Sequence, residues 1–78
     1  MWIVYILKCV DGDYYVGFTS DLENRLQQHQ NGQVGATKNR LPFKLITYIA
    51  FSDKQKAYDF EKYLKTGSGH AVMYKRLV

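Results

Sequence analysis

The sequence predicts an α+β domain: a three-stranded antiparallel sheet flanked by helices, in the order ββαβαα. Three observations point there. Two short runs of β-branched and aromatic residues flank Asp11-Gly12, and a third run follows Pro42. Two helical stretches then open on Ser-x-x-Glu and Ser-x-x-Gln spacings. The 78 residues leave room for one domain, 1–78, with one modest core. A chain of that size buries only about 60% of its unfolded surface, so its stability margin is small.

Trp2 to Cys9 (WIVYILKC) reads as a buried strand. Val10-Asp11-Gly12-Asp13 is a turn and Tyr14 to Thr19 a second strand, which makes a hairpin. Ser20 with Glu23 has capping-box spacing and opens a helix from Asp21 to about Gln30, closed by Asn31-Gly32. Residues 31 to 42 form a polar loop ending at Pro42, which a central strand does not admit. Phe43 to Phe51 is the third strand. Ser52 with Gln55 starts a helix to about Lys65, Gly67-Ser68-Gly69 interrupts it, and His70 to Leu77 forms a short last helix.

Composition narrows the function. Hydrophobic residues at 46% support a folded core rather than a disordered tail. A net charge of +4 suits a polyanionic partner, nucleic acid first among them, although solubility alone accounts for a charge that small. One cysteine, Cys9, excludes an internal disulfide and a zinc ribbon and fits a reducing cytosol. The apolar opening is too short for a signal segment or a membrane span, so a cytoplasmic location without membrane contact is expected.

On the first helix, Arg25 and His29 are four apart and share a face. A guanidinium that grips two oxygens and an imidazole that moves a proton suit a scissile phosphate. A solvated helix face is the plainer reading of the same spacing. On the second helix Glu61 borders the apolar set Ala57, Phe60 and Leu64. A carboxylate drawn toward a core needs a partner. Either a divalent cation or a surface pair with Lys65 satisfies that need, and spacing does not choose between them. Lys38 and Arg40 in the loop, with Lys44 and Lys65, form a basic set able to track a phosphate backbone.

Ile3-Val4-Tyr5, nine residues, then Tyr15-Val16-Gly17 resembles the signature of the GIY-YIG nuclease superfamily, with Ile3 in place of the first glycine. The resemblance continues through Phe18 to Leu22, Arg25-Leu26 and His29, the Thr37-Lys38-Asn39-Arg40 loop with Pro42, and Glu61 to Gly69. The last stretch is similar to the compact, excinuclease-C-like branch. Two departures are visible: no asparagine follows Glu61, and His70 stands where that branch often has arginine.

The resemblance implies hydrolysis of DNA phosphodiesters with a single magnesium or manganese ion, low intrinsic sequence specificity, and a place in DNA repair or processing. A protein partner would supply any specificity. It implies Tyr5 as general base or water-positioning group and Tyr15 as support for the water or phosphate. Arg25 would stabilise phosphate charge, His29 would assist proton transfer, and Glu61 would ligate the metal. Gly17 would be structural, leaving room beside the tyrosines. A non-catalytic nucleic-acid-binding module of the same fold is the alternative, and a small interaction protein with core tyrosines is a second.

The hairpin sets a geometric condition. A two-residue turn at Asp11-Gly12 would put Tyr5 and Tyr15 on opposite faces of the sheet. A three-residue loop with Gly12 left-handed instead pairs Tyr5 with Gly17 and Tyr15 with Leu7. The tyrosines then lie diagonally on one face, about 7–8 Å apart between backbones. The second register is expected, bringing both tyrosines to a face shared with Arg25, His29 and Glu61.

Overall fold

The computed structural model describes residues 1–78. Its elements are β1 (Trp2–Cys9), β2 (Tyr14–Thr19), α1 (Leu22–Gln30), β3 (Phe43–Phe51), α2 (Lys54–Leu64) and α3 (Gly67–Val72), the last running on into a wider π turn at Met73–Leu77. The strands form one antiparallel sheet in the order β2-β1-β3. The predicted α+β architecture and element order are the ones observed.

The most apolar strand takes the centre. Val4, Tyr5, Ile6 and Leu7 of β1 are all buried, and β2 and β3 cover its two edges. Gly12 adopts φ +88, a conformation that side chains rarely tolerate, and this closes the hairpin. Gly12 N–H donates to Cys9 O at 3.0 Å, and Cys9 N–H to Asp13 O at 2.8 Å. Tyr5 therefore stands opposite Gly17 and Leu7 opposite Tyr15, the register expected from the three-residue loop. On the other side, Thr47 faces Ile6 while Leu45 faces Leu7, so Ile46 is an extra residue and β3 bulges.

Alternation along the strands separates two faces. Val4, Ile6 and Val16 pack with Ala57 and Leu64 of α2 and with Met73. Trp2, Phe18, Phe51, Phe60 and Leu77 rim this apolar core. The opposite face carries Tyr5, Leu7 and Cys9 and meets the end of α1 and the loop that follows it, through His29 and Phe43.

Both caps differ from the expected ones by a residue. Asp21, not Ser20, caps α1 by accepting from Asn24 N–H, and Asp53, not Ser52, caps α2 by accepting from Lys56 N–H. A carboxylate beside a serine wins because it brings charge to the positive helix end. The last helix also begins earlier than expected, at Gly67, with the Thr66 hydroxyl accepting from Gly69 N–H. Gly69 is there for proximity: a Cβ on it would collide with the Tyr63 carbonyl. It lets α3 turn tightly against the end of α2.

Candidate active site

The centre of the site is a line of three buried polar side chains. Tyr5, 1% exposed, places its hydroxyl 2.8 Å from His29 Nε2, and His29 Nδ1 lies 2.7 Å from Thr37 Oγ1. The Thr37 hydroxyl also lies 3.5 Å from Val34 O. Either tautomer of a neutral ring completes the line: Nδ1–H donating to Thr37 while Tyr5 O–H donates to Nε2, or Thr37 O–H donating to Nδ1 while Nε2–H donates to Tyr5. Burial lowers the His29 pKa below the usual histidine value, and the Arg25 charge lowers it further.

Each member reaches this line for a local reason. Gly17 makes space for the Tyr5 ring, because a Cβ there would strike Cζ and Oη of Tyr5. The ring thus crosses β2 through the gap a glycine leaves. Tyr15 lies beside it with ring centroids 6.3 Å apart, and its ring meets His29 edge-on at 5.1 Å. The last turn of α1 delivers His29 under Phe43, 5.9 Å between ring centres. The loop folds Thr37 inward, held by its own turn: Thr37 N–H and Lys38 N–H both donate to Val34 O.

Charge converges on Tyr5 from both helices. Burial raises its pKa well above the ordinary tyrosine value. Tyr15 adds to the rise, Arg25 acts against it, and Glu61 reinforces it. Tyr5 is therefore a protonated phenol at neutral pH. Its hydroxyl is turned inward onto His29 rather than toward solvent. His29 is likewise fully buried and reaches solvent only through its neighbours. Tyr15 and Arg25 are partly exposed, and Arg25 is steadied by a bond from Nη1 to Gln28 Oε1 at 3.2 Å.

Glu61 does not come from the tyrosine face as expected. It is carried by α2, which packs against the Val4 and Ile6 side, and it is 9% exposed between Ala57 and Leu64. It is nonetheless the one acidic side chain whose charge reaches Tyr5. Its Oε2 pairs with Lys65 Nζ, so the i, i+4 pair is formed. No group of three or more His, Cys, Asp or Glu side chains gathers anywhere. One carboxylate fits a hard ion such as magnesium, which takes one or two protein carboxylates and fills its remaining positions with water and phosphate oxygens.

The basic set divides. Lys38 is exposed on the loop that carries Thr37. Arg40 is engaged by Asp11, Nε to Oδ2 at 2.8 Å, and the Asp13 N–H, with this guanidinium second, holds the Asp11 carboxyl below its usual range. Lys44 stands opposite Lys8 in the sheet, on the face away from Tyr5, and Lys65 is occupied by Glu61. As a track beside the tyrosines, the four residues are not contiguous. Thr37 is the member the sequence reading missed, placed in a basic loop when its hydroxyl is fully buried. Its partner His29 lies eight residues away across an irregular loop, which no periodicity marks.

A model of the GIY-YIG catalytic domain matches residues 1–75. The chain belongs to the GIY-YIG family. Within it, the UPF0213 protein of Streptococcus pneumoniae is 45% identical over 64 residues, 80% of this chain and 64% of that protein. The UPF0213 protein BH0048 of Halalkalibacterium halodurans is 42% identical over 64 residues, 80% of this chain and 67% of that one. The aligned stretch thus spans about two thirds of the length of these relatives. The solution NMR structure of the UPF0213 protein BH0048 from Bacillus halodurans superimposes with a TM-score of 0.61. That match has 33% identity and covers 96% of this chain and 84% of that one. The GIY-YIG domain is a nuclease domain, which implies a nucleic-acid substrate. No helix of this GIY-YIG chain is long and apolar enough to cross a membrane.

Proposed function

We propose that the chain is a metal-dependent DNA endonuclease that hydrolyses phosphodiester bonds with one magnesium or manganese ion held by Glu61. The observation that carries this reading is the convergence on one phenol. Tyr15 from β2, His29 and Arg25 from α1, and Glu61 from α2 all act on Tyr5. A structural tyrosine needs one hydrogen-bond partner, not a guanidinium and a carboxylate from separate helices as well.

The roles follow from exposure. The ion, when bound, acidifies the attacking water and neutralises phosphate charge. Tyr15, at the open side of the pair, offers its hydroxyl to that water or to a phosphate oxygen. Arg25 grips the phosphate as charge builds on it, a task suited to a planar, permanently charged fork. Tyr5, His29 and Thr37 are positioning residues. Their hydrogen bonds fix the wall against which Tyr15 packs, and a protonated Tyr5 hydrogen-bonded to a neutral His29 keeps that wall in one arrangement. Low intrinsic sequence specificity, a cytoplasmic location and a place in DNA repair or processing belong to the same reading.

The test is a cleavage assay on plasmid, single-stranded and branched DNA, with and without magnesium or manganese. Cutting should require metal and fall about 100-fold or more in Tyr15→Phe, Arg25→Ala and Glu61→Gln, each removing a group that meets the phosphate, water or ion. Cutting that survives Glu61→Gln would refute the metal role. Binding without cutting, indifferent to all three changes, identifies a non-catalytic binding module.

A further inference from the structure

A cleft of about 490 Å³ opens on the α2 side of the sheet, lined by Phe18, Asp53, Lys54, Gln55 and Tyr58. Its apolar walls are aromatic. Trp2 and Phe18 stack with centroids 5.4 Å apart and planes within 10°, and Tyr58 meets Phe18 edge-on at 5.8 Å. Two ammonium groups lie over these rings, Lys54 at 4.8 Å from the Trp2 centre and Lys62 at 5.1 Å from that of Tyr58. Tyr58 is 43% exposed, so its ring does not close a core. The polar wall holds acceptors: Asp53 Oδ2 caps the Lys56 N–H and leaves Oδ1 open, while Gln55 uses its amide N–H on Asp59 and leaves its carbonyl.

The position of the cleft matters as much as its lining. Phe18 follows Gly17, the gap crossed by the Tyr5 ring, and Tyr58 precedes Glu61 by one helical turn. The cleft and the tyrosine pair therefore flank the same edge strand, β2, from its two sides.

We propose that this cleft binds one unpaired nucleobase of a DNA strand, next to the phosphate placed at Tyr15, Arg25 and Glu61. The base stacks on the exposed ring of Tyr58 and meets Phe18 at its edge. An exocyclic amino group donates to Asp53 or Gln55, and Lys54 and Lys62 take the adjoining phosphates. Aromatic faces flanked by cations are the chemistry that holds single strands, and the lysines complement a strand's negative backbone. A paired base cannot enter, so the substrate class is DNA with an unpaired stretch at a junction or flap. This inference rests on the nuclease reading for its phosphate position, but its test does not depend on cutting.

Binding is measured by fluorescence anisotropy in EDTA, comparing a flapped duplex with a blunt duplex of equal nucleotide count. The flap carries 2-aminopurine at its first unpaired position, so stacking is read as quenching. Wild-type protein should favour the flap about tenfold and quench the probe, a preference in the range of one stacked base. Tyr58→Ala and Tyr58→Leu should lose both effects, and Tyr58→Phe should keep them. Tyr58→Leu retains apolar bulk, so a folding loss in the alanine variant is separated by comparing melting temperatures. Equal affinity for the two DNAs, or preference and quenching that survive both variants, overturns the subsite. Preference without metal-dependent cutting keeps the subsite and sinks the nuclease reading; cutting without preference does the reverse.

Discussion

The two faces of β1 are buried to the same degree and hold opposite chemistry. On one, Val4 and Ile6 meet Ala57, Leu64 and Met73 in an apolar cluster bordered by the Glu61 carboxylate. On the other, Tyr5 bonds His29 and His29 bonds Thr37, all three at 1% exposure or less. The first face gains stability with each methylene removed from water, at about 25 cal/mol per Å². The second gains little, because its hydrogen bonds replace ones that water made equally well. What it gains is a single arrangement, since any rotation leaves a buried polar atom unpaired. Burial stabilises the domain on one side of the strand and orients the candidate site on the other.

Substitutions can break this contrast or sharpen it. The largest stability effect should come from the apolar face. Leu64→Ala empties a fully buried position and should cost about 2–5 kcal/mol, comparable with the whole stability of so small a domain. Urea unfolding measures it, and cutting should fall only in proportion to the unfolded fraction. Gly17→Ala should cost less, about 1–3 kcal/mol by overpacking, yet depress cutting far beyond its unfolded fraction, because the new methyl displaces the Tyr5 ring. A Gly17→Ala protein that is folded and cuts normally would break the division of labour between the faces.

The smallest effect is a pH dependence confined to the polar face. His29 has its pKa lowered in the folded state by burial and by Arg25, so below about pH 6.5 the unfolded chain takes up a proton that the folded one resists. Stability is therefore complete above that pH and is lost as pH falls through it. Between pH 7.5 and 5.5 the loss is under about 1.4 kcal/mol. Thermal melts across that range should show it in the wild type and show a flatter profile in His29→Gln. An equally steep profile in both would remove His29 as the source.

Much of this was legible in the sequence because it is periodic or local. Strand boundaries at Trp2–Cys9, Tyr14–Thr19 and Phe43–Phe51 follow from runs of apolar residues with turn residues between them. The shared face of Tyr5 and Tyr15 followed from loop length and one glycine. The caps at Asp21 and Asp53 were missed by a residue because a serine stands before each, and the two candidates differ only in charge. Gly69 was read as a break when it is a point of close approach, a distinction set by the Tyr63 carbonyl from the preceding helix. Thr37 and the face from which Glu61 arrives depend on tertiary packing. So does the raised pKa of Tyr5, which grows from burial that no single-residue signal announces.

The clasp at the hairpin tip has a mechanical consequence. Arg40 holds Asp11 through its side chain and Val10 through its carbonyl, which accepts the Val10 N–H at 3.1 Å. The stretch from Val10 to Arg40 is thereby closed into a ring that contains Tyr15, Arg25, His29 and Thr37. Tyr5, on the central strand, and Glu61, on α2, stand outside it. The chain is built like a latch: four of the candidate-site groups ride on one closed loop, and the carboxylate proposed to hold the ion rides on a separate arm.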